Sequence, residues 1–442
     1  MSVPRSLLPW LLVACASTPQ QTRVDVNVTV IDRQSVHVAQ PPRAPHVITT
    51  APPAPTVPTR TIAAVPSPSP APITTPRCGR DGAPPAPITR LVAGPRRTCT
   101  VHEGGAVCCW GLAPGARYGT SDTSALLLHP APFEGLAPVT SLGLGTFHGC
   151  ALHTDGTVSC WGGNAYGELG DGSRDARPTP GPVPGLGGVV ELAVGQWHTC
   201  ARVQNDTVRC WGGNLRSLHG TTGTEPDAFV PERIEGLDHV RALAMGVDSC
   251  AILTDRTLRC WGDRHMYNYH HLDRVEPHFY TVRALRDLDE VALAWPDVSV
   301  GDTFACARTR DGRLLCWGGR YDAASPDPDE ENPPSRPANL GNIRDARALA
   351  LGGDHGCVLR ANGHVWCWGA NHHGQLGDGS TVDRTLPVEV SGLTDVVEVR
   401  AAEGHTCARR TNGSVWCWGG NRNGQLGAGD TADHTTPVAV QW

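Results

Sequence analysis

Fourteen of the seventeen cysteines form seven pairs whose members lie ten positions apart, and Trp-Gly follows the second cysteine of every pair. The pairs are Cys99/Cys109, Cys150/Cys160, Cys200/Cys210, Cys250/Cys260, Cys306/Cys316, Cys357/Cys367 and Cys407/Cys417. A turn such as Asp155-Gly156 lies midway in most pairs, so a hairpin would bring both cysteines onto facing strands. Opposed residues there have Cβ atoms about 4.5–5.5 Å apart, close to the ~3.8 Å of a disulfide. We therefore predict seven disulfides; the alternative is zinc, although this spacing lacks the C-x-x-C of zinc knuckles.

Three cysteines, at positions 15, 78 and 108, lie outside this pattern. Cys15 ends the segment Leu12-Val13-Ala14-Cys15, which closes an apolar stretch and is similar to the bacterial lipobox, a processing signal. We predict lipidation of Cys15; the alternative is an incidental cysteine in a short disordered N-terminus. The even count that remains predicts a disulfide between Cys78 and Cys108. Such heavy use of cysteine is typical of an oxidising compartment.

Histidine recurs two positions before the first cysteine in four repeats, at His148, His198, His355 and His405. Equivalent positions in separate repeats lie too far apart to share an ion whose bonds are about 2 Å long. The other repeats carry a mixed set at this position, namely Arg97, Asp248 and Phe304. We predict structural hydrogen bonds within each blade for these histidines, with no metal and no cofactor.

The unit that carries these residues occurs seven times, with successive second cysteines 50–56 positions apart. Each unit contains short β-rich runs broken by Gly, Pro and Asx turns, and no segment has a convincing helical period. About four strands per unit predict an all-β fold, a seven-bladed β-propeller with one disulfide per blade. Later units open with a Pro-Val-x-Val run that the first unit lacks, whereas Pro437-Val438-Ala439-Val440 stands near the end of the sequence. We predict that this C-terminal strand joins the first blade and closes the ring.

The recurring motifs match a known family. His-x-Cys, Asx-Gly, Cys-Trp-Gly and Asn-x-x-Gly-(Glu/Gln)-Leu-Gly resemble the regulator of chromosome condensation repeats, most fully at residues 164–172, 371–379 and 421–429. The Cys-Trp-Gly form is similar to the exported bacterial branch of that family. The resemblance covers about residues 86–442 and implies a seven-bladed propeller used as a protein-binding platform. Relatives include a nucleotide-exchange factor and β-lactamase inhibitors, but no matching functional loop carries either role over to this sequence.

One interval departs from the regular pattern. Between Cys260 and Cys316 the spacing reaches 56 positions, and three of the six tyrosines lie there beside four histidines. Aromatic side chains are favoured binding anchors because they cover a large area at low entropic cost. We predict a binding loop formed by Tyr267, Tyr269, His270, His271, Phe279 and Tyr280. The alternative is a degenerate blade whose aromatic residues fill its own core.

Composition divides the chain into three parts. Residues 1–15 have the features of a lipoprotein signal peptide, residues 16–85 form a Pro/Ala/Thr-rich tract that predicts a disordered linker, and residues 86–442 carry the repeats. The net charge of −6 and the lack of a basic stripe argue against nucleic acid as a partner. No nucleophile, base and acid stand in a recognisable catalytic motif, so we predict that the protein is not an enzyme.

Together these features predict an exported lipoprotein of a bacterial outer membrane or cell surface, attached to the membrane through its lipid anchor only. The predicted protein is a monomer that binds an unknown protein partner, or a surface ligand, without catalysis. Three alternatives stay open: a secreted inhibitor of an enzyme, a structural surface protein without a dedicated partner, and, if the chain is not exported, an intracellular guanine-nucleotide exchange regulator.

Overall fold

Strands are the only regular elements in the part of the chain that the computed structural model describes, which is Cys78 and residues 86–113, 126–213, 227–255, 257–261, 272–276, 279–282, 298–317 and 338–442. These residues lie in one compact unit, Pro70–Trp442. The strands form seven antiparallel sheets, numbered here as blades 1–7 in chain order. The predicted all-β, seven-bladed propeller is confirmed. No helix in the described ranges is long and apolar enough to cross a membrane.

The strands of the first three blades are, for blade 1, β1 Ile88–Gly94, β2 Arg97–His102, β3 Val107–Leu112 and β4 Leu126–Pro132; for blade 2, β5 Val139–Leu144, β6 His148–His153, β7 Val158–Gly162 and β8 Arg177–Pro182; and for blade 3, β9 Val189–Val194, β10 His198–Val203, β11 Val208–Gly212 and β12 Ala228–Arg233. Blade 4 comprises β13 Val240–Met245, β14 Ser249–Leu253, β15 Leu258–Trp261, β16 Leu272–Glu276 and β17 Phe279–Val282.

The strands of the last three blades are, for blade 5, β18 Val298–Val300, β19 Ala305–Arg308, β20 Leu314–Trp317 and β21 Ala338–Asn339; for blade 6, β22 Ala346–Leu351, β23 His355–Arg360, β24 Val365–Gly369 and β25 Arg384–Glu389; and for blade 7, β26 Val396–Ala401, β27 His405–Arg410, β28 Val415–Gly419 and β29 His434–Ala439. Six sheets are four-stranded meanders, whereas blade 4 has the order β13-β14-β15-β17-β16. The first strands of all seven blades line a central channel of about 480 Å³.

Each blade carries one disulfide between its second and third strands, and the Cα atoms of each pair lie 4.0–4.1 Å apart. This is the narrow type of pair in an antiparallel ladder. The choice between disulfides and zinc is therefore decided for disulfides. The seven bonds are Cys99–Cys109, Cys150–Cys160, Cys200–Cys210, Cys250–Cys260, Cys306–Cys316, Cys357–Cys367 and Cys407–Cys417. An eighth bond joins Cys78 to Cys108 with a Cα separation of 5.8 Å, as the cysteine count predicts.

The third strand departs from a regular ladder in five blades. In blade 1 the pairing of β3 with β4 shifts register between Cys109 and Gly111, and in blade 2 the pairing of β7 with β8 shifts between Cys160 and Gly162. Blades 3, 6 and 7 have the same irregularity after their second cysteine. The glycine of Cys-Trp-Gly has a positive φ there, 100° in Gly111 and 106° in Gly162. Other residues rarely adopt this conformation, so the bulge explains why glycine follows the tryptophan.

The core lies between the blades. Every tryptophan that follows a second cysteine is at most 1% exposed, and it shares a hydrophobic cluster with residues of the preceding blade. Trp418 of blade 7, for example, packs in a cluster with Cys357 and Cys367 of blade 6. A repeat thus completes its apolar core only by stacking on its neighbour, as in other repeat architectures.

The predicted mode of ring closure is wrong. Strand β29 pairs with β28, where Val438 faces Cys417, so it is the outer strand of blade 7 and not a strand of blade 1. Blade 1 has its own outer strand, β4. The Pro-Val-x-Val runs therefore end blades rather than open them. The ring closes by side-by-side packing, because Val440 lies in the cluster between blades 7 and 1 and Trp442 stacks edge-on against Trp110, with ring centroids 5.9 Å apart.

Candidate protein-binding face

The turns between the first and second strands surround one mouth of the channel, and we call this surface the turn face. It consists of residues 95–96, 146–147, 196–197, 247, 302–303, 353–354 and 403–404. Main-chain hydrogen bonds link several neighbouring turns, including Gln196 N to Gly246 O at 3.2 Å and Asp302 N to Gly353 O at 3.0 Å. Because the main chain holds the turns, their side chains are free to differ from blade to blade.

The side of the turn face formed by blades 1–3 is aromatic. The ring centroids of Phe147 and Trp197 lie 5.3 Å apart, and Tyr166, in the loop after β7 that borders the turn face, meets Trp197 edge-on at 5.8 Å. The guanidinium carbon of Arg96 lies 5.0 Å from the centroid of the Phe147 ring, within the range of a cation–π contact. All four side chains are half-buried. They combine large apolar area with limited freedom, which is typical of interface anchors.

The opposite side, formed by blades 5–7, is acidic. Asp302, Asp354 and Glu403 stand on three successive turns. Burial raises the pKa of Asp302 to about 7, the hydrogen bond from Gln196 opposes this rise, and the negative charges of Glu403 and Asp354 add to it. The repulsion among these carboxylates indicates a negative potential at the channel mouth. Beside it a cavity of about 480 Å³ is lined by residues of both signs, among them Arg96, Asp354, His373, Glu403 and Arg422.

The two sides are joined across blade 4. Cys250 follows Gly246 by four positions, whereas Cys200 follows Gly195 by five, so the turn of blade 4 is one residue shorter. Across this short turn, Gln196 Nε2 of blade 3 donates a hydrogen bond to Asp302 Oδ1 of blade 5 at 2.7 Å. The amide therefore fixes the orientation of the partly buried carboxyl group at the channel mouth.

The recurring histidines are structural, but their partners lie in the next blade. Each Nε2 lies 2.8–2.9 Å from a hydroxyl oxygen that precedes the first cysteine of the following repeat: His148–Thr199, His198–Ser249, His355–Thr406 and His405–Thr98. The prediction of hydrogen bonds within each blade is wrong for this reason. Arg97, Asp248 and Phe304 replace histidine where the next blade offers Gly149, Ala305 and Gly356, which carry no hydroxyl.

Complete burial lowers the pKa of three of these histidines, His148, His355 and His405. It lowers the pKa of His355 to about 3 and that of His405 to about 4, and in His148 the nearby charge of Arg97 adds to burial and brings the pKa to about 3. The charge of His405 makes a smaller contribution to the shift in His355. These imidazoles are therefore neutral across the physiological range. The described residues contain no cluster of His, Cys, Asp and Glu that could hold a metal ion.

The cysteines singled out from the sequence belong to the scaffold and not to the turn face. Cys109 is 4% exposed and packs with Cys99 in the cluster between blades 1 and 2. Cys160 is fully buried and packs with Cys150 in the cluster between blades 2 and 3. Their disulfides therefore stabilise the hairpins that carry the turns, and their sulfur atoms offer nothing to a partner at the channel mouth.

The predicted binding loop falls largely outside the described residues. Tyr267, Tyr269, His270 and His271 lie in the part that is not described, as does Cys15. Phe279 and Tyr280 belong to β17, where Tyr280 faces Cys260 of β15. Their role in binding stays a prediction.

Sequence reasoning missed the turn face. Its residues occupy the third and fourth positions before the first cysteine, next to positions that repeat closely. When the seven repeats are aligned on their cysteines, these two positions differ from repeat to repeat. Phe147, Trp197, Asp302 and Asp354 stand there, where the fold demands no particular side chain.

Comparisons with known proteins agree with this architecture. Two sequence models of the regulator of chromosome condensation (RCC1) repeat match residues 155–202, 362–409 and 412–442, and 139–168, 189–217, 297–319, 346–375 and 396–425. Ultraviolet-B receptor UVR8 of Arabidopsis thaliana is 28% identical over 322 residues, which are 70% of this chain and 71% of UVR8. E3 ubiquitin-protein ligase HERC2 of Homo sapiens is 27% identical over 306 residues, 66% of this chain but only 6% of HERC2.

A solved structure shows the same fold. Prp20p of Saccharomyces cerevisiae, described together with its binding to Gsp1p and histones, superposes with a TM-score of 0.65 at 20% identity, over 80% of this chain and 87% of Prp20p. Matches to the repeat model therefore agree with the seven sheets and with the fold of Prp20p. The chain therefore carries repeats of the regulator of chromosome condensation (RCC1) type, arranged as a seven-bladed propeller.

Proposed function

We propose that this protein is an exported, lipid-anchored propeller that binds another protein through its turn face and performs no catalysis. The observation that carries the proposal is the division of this face into an aromatic side around Trp197 and an acidic side around Asp302. Rigid aromatic anchors beside charged groups give a protein surface both affinity and orientation. The binding of Gsp1p and histones by Prp20p supports the use of such a propeller as a protein-binding platform.

The disulfides support export. Sixteen of the seventeen cysteines are joined in eight disulfides, so Cys15 is the one cysteine left for lipid. Disulfides of this density persist in oxidising compartments such as the periplasm or the cell surface. The mass of the native protein from membrane fractions tests this part: we expect diacylglycerol on Cys15 and a gain of two hydrogens per disulfide on reduction.

Binding is tested by placing a photo-crosslinking amino acid at Tyr166 in the full-length protein in its own cells. After the crosslinked protein is identified and purified, its affinity for the propeller is measured directly. We expect Trp197→Ala to weaken binding by about 30-fold, the effect of losing a hot spot worth about 2 kcal/mol. Val397→Ala is the matched control, because Val397 is an exposed apolar side chain at the opposite end of a first strand.

Three outcomes would change the proposal. Equal affinities of the parent, Trp197→Ala and Val397→Ala would overturn the turn face as the binding surface. If Tyr267→Ala and Tyr280→Ala weakened binding while Trp197→Ala did not, the partner would bind the loop of blade 4 instead. Inhibition of the partner's own activity on binding would identify the propeller as an inhibitor.

A further inference from the structure

A carboxylate joins blade 3 to blade 4 near the central channel. Glu191 Oε2 accepts a hydrogen bond from Arg202 Nε at 2.9 Å, and Glu191 Oε1 accepts one from the main-chain N–H of Leu243 in blade 4 at 3.1 Å. The positions next to these groups are small and uncharged, with Ala193 two positions after Glu191 and Ala242 directly before Leu243. One carboxylate therefore balances one guanidinium at this interface.

The same contact joins blade 7 to blade 1, where two further arginines are present. Glu398 accepts hydrogen bonds from Arg409 Nε at 3.0 Å and from the main-chain N–H of Leu91 at 3.2 Å. The alanine two positions after the glutamate is replaced by Arg400, and the alanine directly before the leucine is replaced by Arg90. Arg400 Nη2 lies 2.8 Å from Glu398 Oε1, so two guanidinium groups share one carboxylate. Because the contact in blade 3 forms without these two arginines, the fold does not require them.

Both added arginines line the central channel. Arg90 Nη1 donates a hydrogen bond to Ser141 Oγ of blade 2 at 3.1 Å, and Arg90 forms no ion pair within the described part of the chain. Burial lowers the pKa of Arg400, the charge of Glu398 opposes this shift, and the positive charges of Arg90 and Arg409 add to it. The guanidinium groups of Arg90 and Arg400 therefore lie close enough to repel each other. An anion between them would relieve this repulsion.

Near the turn face, one apolar side chain from each blade forms a ring around the channel, and we call it the apolar ring. It consists of Ala93, Leu144, Val194, Met245, Val300, Leu351 and Ala401. These seven residues line both the channel of about 480 Å³ and a smaller cavity of about 110 Å³ at the turn-face mouth. The smaller cavity also has Asp302 and Glu403 in its wall. The apolar ring therefore separates an acidic mouth from the part of the channel that contains the two arginines.

We propose that the channel binds a medium-chain carboxylate, whose carboxylate group is held by Arg90 and Arg400 and whose alkyl chain packs against the apolar ring. Guanidinium groups form strong charge-assisted hydrogen bonds with carboxylates, and packing removes the alkyl chain from water. Ala93 of the ring follows Arg90 by three positions, about 10 Å along an extended strand, so a chain of about eight carbons covers this distance. The acidic mouth repels the carboxylate and directs it towards the arginines. This site is separate from the turn face.

Octanoate is the probe, and its binding to the oxidised full-length protein is measured by isothermal titration calorimetry. We expect saturable binding of one molecule per chain. The affinity should rise about four-fold for each methylene added between butyrate and octanoate, as the alkyl chain is buried. Octan-1-ol has the same length without the charge, so it should bind at least about 10-fold more weakly than octanoate.

Arg90→Gln tests the charge, because glutamine keeps an N–H donor for Ser141 but carries no charge. It should weaken octanoate binding at least about 10-fold without loss of folding. Arg241→Met is the matched control, since Arg241 is exposed on the first strand of blade 4 and its loss should leave the affinity unchanged. Trp197→Ala on the turn face should also leave it unchanged. A parent that does not bind octanoate, an Arg90→Gln variant with the parent's affinity, or equal affinities for butyrate and octanoate would each overturn the proposal.

Discussion

Lowering the pH from 7 to 5 should destabilise the propeller, because buried histidines tie its blades together. A histidine that donates from Nε2 to a threonine hydroxyl is neutral, and its Nδ1 is then the site of protonation. Nδ1 of His148, His355 and His405 has no hydrogen-bond partner among the described residues. A proton there would create a buried charge without an acceptor, which accounts for the pKa values of about 3, 3 and 4.

The magnitude follows from proton linkage. These folded-state pKa values lie below the unfolded value of 6.5, so the unfolded chain takes up protons first and stability falls as the pH drops below 6.5. At pH 5 each histidine costs about 2 kcal/mol relative to pH 7, or about 6 kcal/mol for the three. The raised pKa of Asp302 has the opposite effect, because the folded state takes up this proton first. It stabilises the folded state by about 2 kcal/mol between pH 7 and pH 5. The net loss is about 4 kcal/mol, which corresponds to about 5 °C in Tm for a chain of this size.

The assay is thermal unfolding of the oxidised protein, followed by tryptophan fluorescence at pH 5 and pH 7. His355→Gln keeps a side-chain N–H for Thr406 but cannot be protonated, so it should remove about a third of the histidine contribution. His239→Asn is the control, because His239 is exposed and its positive φ of 59° is tolerated by asparagine. A Tm that does not fall between pH 7 and 5, or a His355→Gln variant with the parent's pH dependence, would refute the reasoning.

Three further predictions concern single groups. Asp302→Asn should raise the Tm at pH 8, where the parent carries a partly buried charge, and the gain should vanish below about pH 4, where that carboxyl is protonated in both states. Trp211→Phe should cost about 1 kcal/mol more in chemical denaturation than Trp161→Phe, because Trp211 Nε1 donates to Glu168 O whereas Trp161 Nε1 has no hydrogen-bond partner among the described residues; equal costs would contradict this. His355→Phe and Thr406→Gly should each destabilise, whereas the double variant, which copies Phe304 with Gly356, should recover at least about 1 kcal/mol in a double-mutant cycle; strict additivity would refute the paired role.

Local spacing explains why the blades and disulfides could be predicted. Two cysteines ten positions apart around a turn can face each other in only one register, so the hairpin, its disulfide and the buried tryptophan all follow from one repeat, as Cys150 and Cys160 illustrate. The residue at which each blade begins cannot be predicted in the same way, because a periodic sequence can be divided into repeats at any point. The sequence pattern therefore places Pro437-Val438 in the first blade, although the pairing of Val438 with Cys417 makes this segment the outer strand of the seventh.

The same limit applies to contacts between repeats. His355 and Thr406 lie 51 positions apart, and only their placement in neighbouring blades makes them partners. The signal was nevertheless present in the sequence. Histidine occurs only where the next repeat has Thr or Ser before its first cysteine, and Gly or Ala stands there after Arg97, Asp248 and Phe304. The rule becomes visible when the residue two positions before the first cysteine of one repeat is compared with the residue directly before the first cysteine of the next repeat.

The contrast between these two kinds of position explains why the turn face is the functional candidate. A residue that joins two blades must suit its partner in the next blade, so a histidine such as His405 occurs together with a hydroxyl residue such as Thr98. At the turns, main-chain hydrogen bonds already join neighbouring blades, as between Asp302 N and Gly353 O, and the side-chain contacts there, such as that of Gln196 with Asp302, are additional to them. The fold therefore gives no reason for Trp197 to stand beside Phe147, or for three carboxyl groups to gather on the opposite side of one channel mouth. Side chains that the fold does not require, gathered on the one face where they are free to vary, are best explained by selection for a partner.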